Sequence, residues 1–142
     1  MYDFEIVKCL ENVSEFIGVF PRDRLPSPPP SSFPFSLIMN TDKASQPGKH
    51  WVAVYCTEKT CEYFDSFGLP PLYHELSKLY NNRKLFWSSR CIQHPQSRTC
   101  GEFCISFVKS RSKGLTYSQY IKQFSRDLKQ NDKIVSRIKE KD

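Results

Sequence analysis

The sequence predicts an α+β domain, on three observations: a helical opening, a strand-forming middle, and two helical patterns toward the end. Residues 3–12 form a short helix and Phe16–Phe20 a short extended piece. Residues 25–34 (Leu-Pro-Ser-Pro-Pro-Pro-Ser-Ser-Phe-Pro) are a proline-rich surface loop, because proline removes donors and fixes φ. Phe35–Asn40 is the next strand, followed by a turn region, Thr41 to Lys49, that holds Pro47-Gly48. Trp51–Cys56 and Cys61–Ser66 are β-rich and flank Thr57-Glu-Lys-Thr60, a hairpin signal. Pro70-Pro71 opens a helix to about Tyr80, since proline is tolerated in a first turn. Leu85–Trp87 and Arg90–Gln93 are short strands. Cys100–Ser112 is a helix with Phe103, Phe107 and Val108 at helical spacing, stopped by Gly114. A further helix, N-capped by Thr116, carries Tyr117, Tyr120, Ile121, Phe124 and Leu128, and Ile134, Val135 and Ile138 continue a weaker pattern. The expected architecture is a central, mostly antiparallel sheet flanked by helices.

The 142 residues suit one domain, 1–142, whose chain can bury roughly two-thirds of its unfolded surface. The 39% hydrophobic share excludes a disordered tail. No apolar run approaches ~18 residues, so no membrane span is expected. The opening Met-Tyr-Asp-Phe-Glu-Ile-Val-Lys mixes acids with apolar residues and does not suit a secretory signal. The expectation is a soluble intracellular or intravirion protein, not secreted and not on a membrane. Its six cysteines then read as thiols, with three bridges left formally open. Charge is uneven: residues 101–142 hold 10 basic and 5 acidic side chains, +5 of the net +6. In the basic C-terminal helices (116–142), Lys122, Arg126, Lys129, Lys133, Arg137, Lys139 and Lys141 suit a polyanion such as DNA. An ordinary solvated helical face explains them as well.

Chemistry concentrates at two places. In a symmetric hairpin, residues whose numbers sum to 117 face one another, so Cys56 meets Cys61 and Val52 meets Asp65. Alternation then makes His50 and Asp65 diagonal neighbours at ~7–8 Å, a span that side chains can bridge. The carboxylate can accept the Nδ1 hydrogen bond of the imidazole and support its cation. An edge histidine and a turn aspartate before Gly68 fit the same spacing. The second place is Gln93-His-Pro-Gln-Ser-Arg-Thr-Cys100-Gly101, leading into a helix. A cysteine at a helix N-terminus meets the positive dipole end and unpaired N–H groups, which favour thiolate and can bind an oxyanion. Gly101 there lets a substrate backbone approach. A small apolar core residue is the alternative for Cys100, and Cys104, one turn on, reads as core. Trp51 is a core or substrate-binding residue. Zinc would draw on Cys56, Cys61, Cys91, His94, Cys100 and Cys104, but no CxxC pair occurs and the spacing fits no common finger, so no metal is expected.

These residues resemble the adenovirus-type cysteine proteases, the adenain family. The similarity runs from about Phe16 to Val108 and includes Phe16-Ile-Gly-Val-Phe, Ile38-Met-Asn-Thr41, Pro47-Gly-Lys-His-Trp51, Tyr63-Phe-Asp-Ser-Phe-Gly68 and Gln93-x6-Cys-Gly-Glu-Phe-Cys104. The resemblance implies a papain-like core with chain order His, Asp, Cys. It implies Cys100 as nucleophile, His50 as general base and acid, Asp65 as the acid orienting His50, and Gln93 as oxyanion donor beside the Cys100 N–H. The acidic member is Asp, as in the related SUMO and ubiquitin-like deconjugating proteases, where adenoviral enzymes have Glu. The segment after Cys100 is shorter than in adenoviral enzymes, and Cys91 does not match their peptide-tethering cysteine.

The function so implied is a cysteine endopeptidase that cleaves viral or mobile-element precursor polypeptides at glycine-containing sites. A deconjugating protease for SUMO or ubiquitin-like modifiers is the alternative, and a non-catalytic basic DNA-binding virion protein the second. No cofactor is required, with DNA or a peptide as candidate activators. A monomer is favoured, and a viral origin would place the chain in the virion and host nucleus.

Overall fold

The structure is a computed structural model and describes residues 1–137. Its first helix is α1, Asp3–Cys9. Five strands follow in one sheet: β1 Phe16–Pro21, β2 Phe35–Asn40, β3 Trp51–Cys56, β4 Thr60–Phe64 and β5 Lys84–Trp87. Spatial order equals chain order. The central pairs β2–β3 and β3–β4 are antiparallel, as expected, whereas the edge pairs β1–β2 and β4–β5 are parallel. Parallel neighbours need a long crossover. Residues 22–34, with the proline-rich loop, supply the first, and residues 65–83 supply the second.

The hairpin register follows the sum rule: Cys56 pairs with Cys61, Val54 with Tyr63 and Ala53 with Phe64. Alternation sends Ile38, Ala53, Tyr55 and Phe64 to one face, where they pack with Phe103, Phe107, Val108 and Tyr120. Leu37, Met39, Val52, Val54, Cys61 and Tyr63 face the other side, against Leu76 and Leu79. Phe64 stacks on Phe107 at 4.9 Å and takes the edge of Tyr120 at 5.6 Å, the offset and T-shaped arrangements that aromatic quadrupoles favour.

Three expectations are corrected. The helix from Pro70 begins later: a short 3₁₀ turn at His74–Leu76 leads into α2, Ser77–Tyr80. A residue before proline is pushed out of the α region, so Pro71 holds Pro70 extended. Arg90–Gln93 is not a strand; the Ile92 and Gln93 N–H groups both donate to Ser66 O, at 2.9 and 3.1 Å. The last helical pattern is two helices, α4 Tyr117–Lys122 and α5 Leu128–Ser136, after α3, Cys100–Ser112. Arg90 satisfies carbonyls at this break, its guanidinium donating to Ile121 O at 3.1 Å and to Phe124 O. Asp127 then caps α5 by accepting from Gln130 N at 3.1 Å. Thr116 and Gln119 form a reciprocal capping box on α4. Among the described residues no helix is long and apolar enough to cross a membrane.

Candidate active site

The site lies at the end of the sheet where β3 begins and β4 stops. Residues 41–49 fold back on Asn40: its Oδ1 accepts from Asp42 N at 2.8 Å, and Asp42 Oδ2 accepts from Gly48 N and Lys49 N at 3.0 and 3.2 Å. Gly48 has φ +81 and a Cβ there would press on Asn40 Nδ2 at 2.9 Å, so glycine suits this turn. The turn delivers His50, whose carbonyl accepts from Thr41 N at 2.9 Å. Opposite, the chain leaves β4 in a turn, with Gly68 N donating to Asp65 O and Phe67 N to Asp65 Oδ1, both at 2.8 Å.

His50 Nε2 and Asp65 Oδ1 are 3.0 Å apart, and Asp65 is buried. The nitrogen corrects the expectation of Nδ1: the pair spans a diagonal across two strand ends, and the distal ring nitrogen makes the reach. Nδ1 is thereby left for Cys100, the second hydrogen-bond partner of the imidazole. Phe67 stacks on the ring at 5.1 Å. Burial is the largest influence on His50 and disfavours its cation, but the hydrogen bonds and charges of Asp65 and Cys100 together outweigh it and raise the pKa to about 9. The arrangement can hold an imidazolium between a carboxylate and a sulfur at neutral pH, which is the requirement for an activated thiolate.

Cys100 opens α3 and is buried, in a cleft of about 340 Å³ shared with His50, Trp51, Phe67, Gln93 and Ser97. The first amides of α3 have no carbonyl a turn earlier in the helix to bind, so the Cys100 end offers N–H groups to an anion. The Gln93 side chain is buried: its Oε1 accepts from Ser66 Oγ, and its Nε2 donates to Ser97 O at 3.2 Å and Ser97 Oγ at 3.0 Å. Cys104 is buried, and burial pushes its thiol well up.

Trp51 lines the cleft and donates from Nε1 to Met1 O at 3.4 Å. A Cβ at Gly101 would meet Met1 Sδ at 2.9 Å and Trp51 Cδ1 at 3.3 Å, so the missing side chain leaves room for Trp51 and Met1. Lys122, Arg126, Lys129, Lys133 and Arg137 are exposed and do not line the cleft, while Lys139 and Lys141 lie outside the described residues. Sequence reasoning missed Ser66, Ser97, Thr99, Asn131 and Asp132, which tie the Gln93 loop to the rest of the fold. Phe67 was legible only as part of the Asp-Ser-Phe-Gly segment.

The fold that carries this cluster is the papain-like cysteine-protease fold, with the histidine preceding the cysteine in the chain. A crystal structure of the African swine fever virus protease superposes with a TM-score of 0.64 at 17% identity, over 97% of this chain and 65% of that one. The central domain of an uncharacterized Legionella pneumophila protein superposes at 0.53 and 16% identity, over 99% of this chain and 93% of that one. In sequence, the chain is 28% identical over 102 residues to the African swine fever virus cysteine protease, covering 61% of this chain and 37% of that protein. The same figures hold for versions from other isolates named SUMO-1 cysteine protease. The chain therefore spans little more than a third of the length of the curated relatives it matches. No protein-family model matches it. The curated relatives named here are cysteine proteases of African swine fever virus and not adenoviral ones.

Proposed function

We propose that this chain carries a cysteine endopeptidase site. Cys100 attacks a peptide carbonyl, His50 passes the proton to the leaving amine, and water then releases the acyl group from sulfur with His50 as base. Asp65 orients the imidazole through Nε2, and the Cys100 N–H and Gln93 amide receive the oxyanion. The observation that carries this reading is His50 held between Asp65 and Cys100 at the start of α3. The substrate we propose is a precursor polypeptide cut at a glycine-containing site, as the resemblance to adenovirus-type proteases implies.

Deconjugation of a SUMO-like modifier is the second reading, favoured by the name that several relatives carry. Incubation with Gly-Gly peptides and with ubiquitin-like fusions, beside Cys100→Ala, separates the two. Cleavage of peptides alone supports processing, cleavage of folded fusions supports deconjugation, and inertness to both refutes the protease reading. DNA remains a proposed activator, on the exposed bases Lys122, Arg126, Lys129, Lys133 and Arg137.

A further inference from the structure

A continuous hydrogen-bond chain runs from the turn after Asp65 to α5. Ser66 Oγ donates to Gln93 Oε1. Gln93 Nε2 donates to Ser97 Oγ at 3.0 Å, Ser97 Oγ lies 3.0 Å from Thr99 Oγ1, and Thr99 Oγ1 donates to Asp132 Oδ1 at 3.0 Å. The direction of every link follows from its far end. An ionised carboxylate only accepts, so the Thr99 hydroxyl spends its proton on Asp132. Thr99 Oγ1 then has only lone pairs for Ser97, whose proton must go there. Ser97 Oγ is left as an acceptor toward Gln93, the polarity that keeps the NH₂ side of the amide turned to Ser97 and the oxygen to Ser66.

The two Ser97 acceptors of Gln93 belong to one residue. Nε2 donates to Ser97 O at 3.2 Å and to Ser97 Oγ at 3.0 Å. Gln93 lines the same cleft as Cys100 and His50. Were Asp132 uncharged and non-accepting, Thr99 would be free to donate to Ser97, and the Ser97 proton to face Gln93 Nε2. That donor–donor contact would leave Ser97 O, a carbonyl that only accepts, as the one remaining hold on the NH₂ side of the amide, and would weaken the present orientation.

We propose that Asp132, acting through Thr99 and Ser97, is a positioning residue that, together with the Ser97 carbonyl, holds the direction of the Gln93 amide, so that α5 supports the oxyanion hole. The role rests on the protease reading above. The neighbouring Asn131, fully buried, anchors the same loop by donating to Ile92 O at 3.1 Å and Ser125 O at 2.8 Å, so α5 is held in register with it. Asp132 Oδ1 also accepts weakly from His94 N at 3.4 Å. Thr99→Val cuts the relay with a side chain of the same shape and leaves that contact in place.

The test uses the full chain, ¹⁵N-labelled, with the Gln93 side-chain amide signal identified by its loss in Gln93→Ala. Thr99→Val and Asp132→Ala should both shift that signal and speed its exchange, and Thr99→Ser and Asp132→Asn should restore it. In peptide cleavage the two disruptive variants should lower kcat roughly 10-fold, part of the roughly 10²-fold of a whole oxyanion donor, with KM little changed. Their double variant should cost no more than either alone. An unmoved Gln93 signal in both variants overturns the proposal. So does a kcat loss confined to Asp132→Ala and accompanied by a lowered Tm, which would make Asp132 a mere anchor for α5. A shifted signal in a chain that cleaves nothing upholds the relay and removes the protease reading instead.

Discussion

Replacing Asp65 by Asn isolates the charge that holds the His50 proton. The amide keeps an oxygen for the imidazole and for Phe67 N, both of which Asp65 Oδ1 serves now. His50 stands at about 9 in the folded chain against an ordinary 6.5. At about 1.4 kcal/mol per pH unit, this rise corresponds to roughly 3 kcal/mol of stability. The His50 side chain is only 16% exposed, so solvent screening removes little of it. A raised pKa means that the folded chain keeps a proton which the unfolded chain has released, so stability falls as pH increases. The contribution is complete below 6.5 and is lost as pH passes through about 9. Removing a neighbouring carboxylate charge lowers a histidine pKa by roughly 1–3 units, and burial still disfavours the cation. Asp65→Asn should therefore lose about half or more of the stability slope between pH 6.5 and 9. Urea unfolding across this range, with the His50 ring followed by NMR, measures both quantities. Parallel stability curves for the two proteins, or an unmoved His50 titration, would refute the electrostatic account.

Cys100→Ala should abolish turnover with the fold intact, and iodoacetamide at pH 6 should modify Cys100 faster than the other cysteines; mass spectrometry showing equal labelling would contradict the ion pair. Gln93→Ala should lower kcat roughly 10²-fold with little effect on KM, because the oxyanion exists only in the transition state. Gly101→Ala should destabilise by roughly 1–2 kcal/mol, since its Cβ presses on Met1 Sδ and Trp51 Cδ1. In a Trp87→Phe background, a blue or red shift of Trp51 emission should accompany it. Duplex DNA binding, if it acts through the α4–α5 bases, should weaken steeply with salt and vanish when Lys122, Arg126, Lys129 and Lys133 become Gln. Equal binding by both proteins removes these residues from the account.

The local features of this protein were determined by sequence alone. The alternation of Trp51–Cys56 against the following β-run fixes a hairpin register in which a slip of one residue would turn every apolar side chain the wrong way. The start of α3 at Cys100 and its stop before Gly114, with φ +99, follow from helical spacing and from glycine's tolerance of positive φ. The closeness of His50 and Asp65 was legible for the same reason: a short hairpin makes it a local matter. Tertiary structure decided what brings Cys100 to them. Alternation places Val52 and Tyr63 on the sheet face opposite α3, and His50 and Asp65 escape that face only because β3 starts after one and β4 stops before the other. Sequence was equally silent on α5, where Asn131 and Asp132 sit in a basic stretch with no motif to mark them. Their part arises from hydrogen bonds across more than thirty positions of chain, to Ile92 O at 3.1 Å and Thr99 Oγ1 at 3.0 Å. Periodicity reports which way a side chain points along its own element; it holds no record of which distant loop will be folded against it.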